Sequence, residues 1–337
     1  MDSLLFAACL LQAAAAPQDP FDPAQGRPEA VRKAVVRALE PVNRSVAEYP
    51  RQRKCFSCHH QTLPLLAMTV ARDRGVPVDA KAVEAMLKLT AESLESGREA
   101  YLEGRGQGGK AATAAYGLWT LERGGWKPDA TTAVVADYLL VAAKGKESWK
   151  PPSNRPPLEV SSFMATALSL RALQVYGTEE KKAKAAEQEA RTLAWLRATK
   201  AEDTEDRVFR LLGLAYAGAD VEAAAKELRE TQREDGGWAQ LAGMEGDAYA
   251  TGSALVALLE HGGLKPEDAV YRRGAAFLLG SQKEDGSWHV ATRSKPVQTF
   301  FESGFPHGKD QYISIAATSW AAAALALGLP KAAPGNK

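Results

Sequence analysis

Two of the chain's three cysteines stand in one short string, Lys54-Cys55-Phe56-Ser57-Cys58-His59-His60-Gln61. At the Cys-x-x-Cys-His spacing two thiols reach both vinyl groups of one porphyrin while the adjacent imidazole supplies an axial ligand. The pattern is therefore that of c-type haem attachment, with Cys55 and Cys58 holding the cofactor and His59 ligating its iron. His60 lies too close to His59 to serve the opposite face, and Met68 would have to leave helical geometry to do so. The same residues admit other chemistry. A zinc ion would take Cys55, Cys58, His60 and His307, and a Cys55–Cys58 disulfide would be a simple staple in an exported chain. A thiol-redox pair normally comes with a βαβ context, which is absent here. An inner-helix N-terminus beginning near His60 favours thiolate over thiol.

Carboxylates form two further groups. Asp203-Thr204-Glu205-Asp206 has the spacing of an acid cluster. It also reads as an N-cap at Asp203 or Thr204 followed by an acidic first turn that complements the helix dipole. Glu302, His307, Lys309 and Asp310 share the loop Phe301-Glu-Ser-Gly-Phe-Pro-His-Gly-Lys-Asp310. There they would suit acid–base work at the mouth of a cavity, or merely pair in a solvated loop. Asp247 and Tyr249 should cap and line the neighbouring inner helix.

The elements that must position these residues follow from a repeat. Gln232-Arg-Glu-Asp-Gly-Gly-Trp238 and Gln282-Lys-Glu-Asp-Gly-Ser-Trp288 are both Q-x-x-D-G-x-W, with a period of roughly fifty residues that indicates stacked supersecondary units. Gln ends a helix, Asp-Gly makes the turn, and Trp folds back over Gln to seal the gap between helices. Trp149 marks a decayed version of the same turn. Amphipathic segments built on Val31/Val35/Leu39/Val42, Val83/Met86/Leu87/Leu94, 129–143, Ala183/Ala186/Ala190/Leu193, Val221/Ala224/Ala225/Leu228 and Val270/Gly274/Phe277 alternate with more uniformly apolar ones. The latter are 61–74, 109–124, 161–176, 204–217, 247–261 and 312–328. The packing that satisfies this alternation is all-α: an α6/α6 toroid, a closed ring of six outer and six inner helices. Its outer-to-inner turns, 44–60, 98–108, 144–160, 199–203, 232–246 and 282–311, share one rim. Trp119, Phe163, Leu255 and Trp320 would then line the lumen.

Residues 231–328 resemble the C-terminal part of squalene-hopene and oxidosqualene cyclases. The two Q-x-x-D-G-x-W turns match, as do Asp247-Ala-Tyr-Ala-Thr-Gly-Ser-Ala-Leu-Val-Ala-Leu258 and Glu302-Ser-Gly-Phe-Pro306. The resemblance covers about a third of the chain. It implies the toroid and, as one function, cyclisation of an apolar isoprenoid or other lipid. That family's acid motif is D-x-D-D, and Asp203-Thr-Glu-Asp206 departs from it with Glu205 in the acid's place. The zinc-dependent prenyltransferases share the toroid, but their Asp/Cys/His ligand set has no match.

Composition narrows the partners. A formal charge of +1 over 337 residues gives no electrostatic reason to expect nucleic acid. Leu4–Leu11 followed by Ala13–Ala16 reads as a signal peptide over 1–16, implying an exported, periplasmic chain, with Cys9 as an alternative lipid-anchoring position. A Pro-rich linker at 17–27, one toroid domain at 28–330 and a disordered tail at 331–337 complete the layout, with no transmembrane helix in the mature chain. Three functions remain open: a toroid with a rim cofactor (c-type haem or a metal) and a redox partner, a terpenoid cyclase, and a non-catalytic scaffold with a Cys55–Cys58 disulfide.

Overall fold

The computed structural model describes residues 27–296 and 299–332; the expected signal peptide, Cys9 and nearly all of the linker lie outside them. Among the described residues there is no strand, only the isolated bridges Arg155↔Glu159 and Trp238↔Asp247. The helices are α1 (Arg27–Gln52), α2 (Leu63–Asp73), α3 (Ala80–Ser96), α4 (Arg98–Leu102), α5 (Lys110–Arg123), α6 (Ala130–Ala142) and α7 (Ser162–Tyr176). They continue with α8 (Lys182–Ala198), α9 (Thr204–Tyr216), α10 (Glu222–Glu230), α11 (Ala248–Glu260), α12 (Ala269–Ser281) and α13 (Gln311–Leu327). The richly apolar helices pack in sequence, α2 on α5, then α7, α9, α11 and α13, and α13 returns to α2. Helices α1, α3, α6, α8, α10 and α12 lie outside this circuit, each against inner neighbours. The chain is an α/α toroid. None of the described helices is long and apolar enough to cross a membrane.

Small residues let the inner helices approach closely. A side chain at Gly252 of α11 would run into the backbone of Trp320 and Ala321 on α13. The rim turns do the rest. The indole N–H of Trp149, Trp238 and Trp288 each donates to a carbonyl ten residues earlier, Leu139, Leu228 and Leu278, at 2.9 Å in all three. The backbone N–H of the same three residues donates to Thr166, Thr251 and Thr318 of the following inner helix. Trp149 therefore belongs to the repeat despite its altered turn.

The glutamines act sideways. Gln232 Nε2 bridges Gly236 O and Val270 O of α12, and Gln282 Nε2 bridges Gly286 O and Ala34 O of α1, all at 2.9–3.0 Å. Gly286 adopts φ 85°, and any side chain there would collide with the Arg37 carbonyl of α1.

Two rim turns differ from expectation. Helix α1 runs on through Pro41 and Pro50 to Gln52 because Val42, Val46 and Tyr49 prolong its buried stripe. The second turn contains α4, whose buried Tyr101 donates to Gln107 at 2.8 Å. The expected lumen lining is also revised. Trp119 and Trp320 meet across the ring at 6.5 Å, but Phe163 packs tilted against Trp195 of outer α8 and Leu255 packs beneath Gly274 of α12.

Trp288 ties α12 to α13 in the turn that closes the circuit onto α1. Trp288→Ala should cost about 3–5 kcal/mol and Gln282→Ala about 1 kcal/mol, read from urea unfolding midpoints.

Candidate functional site

The Cys-x-x-Cys-His string leaves α1 and winds into a single π-turn, Cys58–Thr62, before α2. Gln61 Oε1 accepts from Ser57 N at 2.7 Å, which closes this wide turn. Tyr49 stacks on the His60 ring at 4.5 Å, and its hydroxyl lies 3.5 Å from Cys55 Sγ. His59 and His60 meet through their Nδ1 atoms at 2.6 Å, and Ser57 Oγ lies 2.9 Å from His59 Nδ1. Burial, reinforced by Arg155, holds the His59 imidazole far below its usual range; burial and then His59 do the same to His60. Burial thus disfavours the cationic form of both rings.

The two thiols are free and differ: Cys55 is exposed and Cys58 buried. Cys58 Sγ points to Glu159 at 3.9 Å, a carboxylate paired with Arg155 and hydrogen-bonded by Ser153. Burial, then the Glu159 charge, push the Cys58 thiol up. The expectation of a helix-stabilised thiolate fails at Cys58 because desolvation outweighs the backbone donors. Met68 is fully buried in α2.

The acid string has a double role. Asp203 caps α9 by accepting from Asp206 N at 2.9 Å, as its sequence suggests, and Asp206 accepts from Ser161 Oγ at 2.7 Å. Glu205 does not join the solvated first turn. It is 3% exposed and turns inward, where Tyr249 Oη donates to its two oxygens at 3.2 and 3.1 Å. Burial, then the Asp203 carboxylate, push Glu205 well above the usual carboxylate range, while the Tyr249 bond pulls it back. Tyr116 and Tyr249, both buried, each sit within electrostatic reach of Glu205 and of Cys58. The cysteine string and the acid string, about 150 residues apart in sequence, thus converge on one group. Tyr116, Glu159 and Arg155 were not singled out from sequence; a tyrosine inside an apolar helix and a glutamate between prolines and valine were the available signals.

A cavity of about 620 Å³ opens beside this group, with His59, Leu158, Glu159, Tyr312 and Ile313 in its wall. Pro156, Leu158, Thr292 and Ser294 face that cavity, whereas Pro157 and Arg293 face Glu205. The segments Pro156–Leu158 and Thr292–Ser294 therefore form a partition. Ser294 Oγ donates to Pro156 O at 2.9 Å, Arg293 Nε to Gln240 Oε1 at 2.8 Å, and Tyr116 Oη to Leu158 O at 3.3 Å. On the inner side, the crevice against Glu205 holds no water-sized space.

The remaining rim candidates lie apart. His307, at φ 83°, contacts Ser287 Oγ through Nε2 at 2.7 Å, and Ser287 also donates to Asp285 at 2.6 Å. His289 stacks on His307 at 4.7 Å and contacts Asp310 at 2.9 Å. Lys309 borders the cavity, and Glu302 is exposed. The zinc set Cys55, Cys58, His60 and His307 is not assembled, because His307 is held by the last rim turn. Among the described residues no three His, Cys, Asp or Glu side chains are grouped to hold a metal ion.

No family model matches the chain. A lanosterol synthase of Aspergillus fumigatus is 34% identical over 102 residues, which is 30% of this chain and 12% of that enzyme. The chain therefore spans a small part of that relative. Among solved structures, the type II terpene cyclase MstE from Scytonema, without ligand, superposes with a TM-score of 0.57 at 16% identity, covering 88% of this chain and 98% of that one. A variant of MstE in complex with its substrate geranylgeranyl dihydroxybenzoate gives 0.53 at 17%, covering 88% and 99%. A protein from Actinoplanes gives 0.56 at 14%, with the same coverage. The likeness is one of fold: this chain has the toroid of the squalene-cyclase-like proteins and the type II terpene cyclases.

The buried acid has a thermodynamic signature. Above the ordinary carboxylate pKa, the unfolded chain loses the Glu205 proton while the native protein keeps it, so stability falls as pH rises. Glu205→Gln keeps an acceptor for Tyr249 and does not titrate. Its stability relative to the unmodified protein should therefore grow as pH rises through and above the ordinary carboxylate range, measured by urea unfolding at several pH values.

Proposed function

We propose that the toroid binds an apolar isoprenoid and isomerises it by protonation from Glu205. The observation that carries this reading is the buried Glu205, bonded by Tyr249 Oη at the third position of Asp203-Thr-Glu-Asp206, where burial pushes its carboxyl well above the usual range. A carboxyl group kept protonated by its surroundings is a proton donor at neutral pH. In the proposed reaction the Glu205 proton adds to an alkene carbon, the chain closes onto the cation, and a proton lost from carbon ends the sequence, so substrate and product are isomers. The faces of Tyr116 and Tyr249 suit a passing cation, since aromatic quadrupoles attract positive charge. Tyr249 orients the acid. The sealed crevice means that Pro156–Leu158 and Thr292–Ser294 must part for a substrate to arrive, a gating step of the kind that excludes water from reactive intermediates.

The test is product analysis. Purified protein incubated with squalene, oxidosqualene or a geranylgeranyl-substituted phenol should yield cyclised isomers by gas chromatography–mass spectrometry. Glu205→Gln should reduce turnover by on the order of 10²-fold or more, and Tyr249→Phe by less. Conversion that persists unchanged in Glu205→Gln overturns the assignment.

A second reading concerns the rim: a c-type haem joined to Cys55 and Cys58, with His59 as axial ligand, in an exported protein. It is supported by two free thiols and by His59 reaching the 620 Å³ cavity. The donor set fits that group, which when bound would supply one-electron chemistry and call for a redox partner. Expression in a host with cytochrome c maturation machinery should give a Soret band and a mass gain of one haem, both lost in Cys58→Ala. An unmodified mass after removal of residues 1–16 would support export and dismiss the haem.

A further inference from the structure

A hollow of about 990 Å³, separate from the cavity beside His59, opens where the second and third rim turns meet outer helices α6 and α8. Its floor is aromatic, with Tyr138 and Trp149 buried and Trp195 half-buried. Around the floor stand Arg105, Lys110, Lys146 and Lys150, with Glu147 as the carboxylate of the wall. Lys110 Nζ donates to Arg105 O at 2.8 Å and Lys146 Nζ to Ala142 O at 3.0 Å, so carbonyls position both ammonium groups without neutralising them. Arg105 pairs with Glu103 beside the wall. Counting both carboxylates, the hollow keeps a charge of about +2 near neutral pH.

The helix beneath it is unlike its neighbours. Outer helices α3 and α8, which pack on either side of α6, carry five and six charged side chains. Helix α6 carries one, Asp137, and Lys181 pairs with it. An outer helix without a charged face needs a cover. Leu102 of α4 and Val141 of α6, at 61% and 56%, are the most exposed large apolar side chains among the described residues. They stand at the edge of the hollow: Gly104 and Ala142 line it, and a side chain at Gly104 would press on Val141.

An aromatic floor, an aliphatic shoulder and a cationic wall are the parts of a protein–protein contact with an acidic partner. We infer that this hollow docks an acidic segment of another protein. An apolar side chain of that segment covers Leu102, Val141 and Trp195, and its carboxylates meet Lys110, Lys146 and Lys150. This role goes beyond the isoprenoid reading and does not depend on it. The charge opposes a second copy of this chain, since two such faces repel. Nucleic acid offers nothing apolar to cover Leu102 and Val141, and a flat lipid surface does not reach a recessed aromatic floor.

The experiment selects from a displayed library of random peptides on the purified full chain, then measures synthetic copies of the enriched peptides by fluorescence anisotropy. The expected peptides place Asp and Glu around Leu, Phe or Trp. Their affinity should fall on the order of tenfold in Lys146→Gln/Lys150→Gln and in Leu102→Ser/Val141→Ser, and should decline with added salt. Lys146→Arg/Lys150→Arg keeps the charge and should retain binding. All three variants should match the unmodified protein in thermal unfolding, because the changed side chains are exposed. Enrichment of peptides without acidic residues, affinity unmoved by either neutral variant, or no enrichment at all would overturn the inference. If no acidic peptide binds while oligothymidylate or phosphatidylglycerol vesicles do, and both neutral variants abolish that binding, the partner is instead nucleic acid or a membrane. Self-association lost in both neutral variants would likewise overturn it in favour of a second copy.

Discussion

The clasp at the rim is the interaction on which the rest of this molecule depends. In each of three turns a tryptophan spends its indole N–H on the end of one outer helix and its backbone N–H on a threonine of the next inner helix. Where a glutamine is present, its amide continues to the following outer helix. One turn thus joins three helices. The tryptophan and threonine groups are buried and the glutamine amides half-buried; an unpaired buried group would cost about 1–3 kcal/mol, so the clasp defines a single register for every unit. Closure follows when the last turn reaches Ala34 of α1.

Closure creates the environment that gives the site its chemistry. Inner helices rich in alanine come close enough to exclude water from the centre, and Trp119 and Trp320 occupy part of it. What polar groups remain there are few and strongly perturbed. Glu205, Cys58 and both tyrosines are all pushed toward their neutral forms for one reason: ionised forms lose more solvation than their neighbours return. Glu159, at the boundary, is paired directly with Arg155.

The rim and the lumen are consequently contiguous. The cysteine string replaces a packing turn at the first inner helix, and its Cys58 and His59 border respectively the inner group and the outer cavity. The partition of Pro156–Leu158 and Thr292–Ser294 separates the two compartments with a small number of hydrogen bonds between rim loops. The opening proposed above would be confined to these loops, which share no residue with the clasps.

Much of the architecture was legible because its signals are local. Helical periodicity of 3.6 residues, Asp caps at Asp203 and Asp247, and the Gln-to-Trp turns each depend on neighbours in sequence, so the alternation of helices and their shared rim could be read directly. Glu205 shows where that reading stops. An acidic first turn predicts a solvated dipole partner; Asp203 caps the helix and Asp206 flanks it, both half-buried, but helical rotation alone does not say which face looks into a ring. The same holds for Phe163 and Leu255, which turn to the outer helices, and for Cys58, whose desolvation overrides the helix terminus. Sequence by itself determined which residues are helical and where the turns lie. Tertiary structure decided which side chains face the lumen and what charge they carry there, because both depend on contacts such as Gln282 with Ala34 that join opposite ends of the chain.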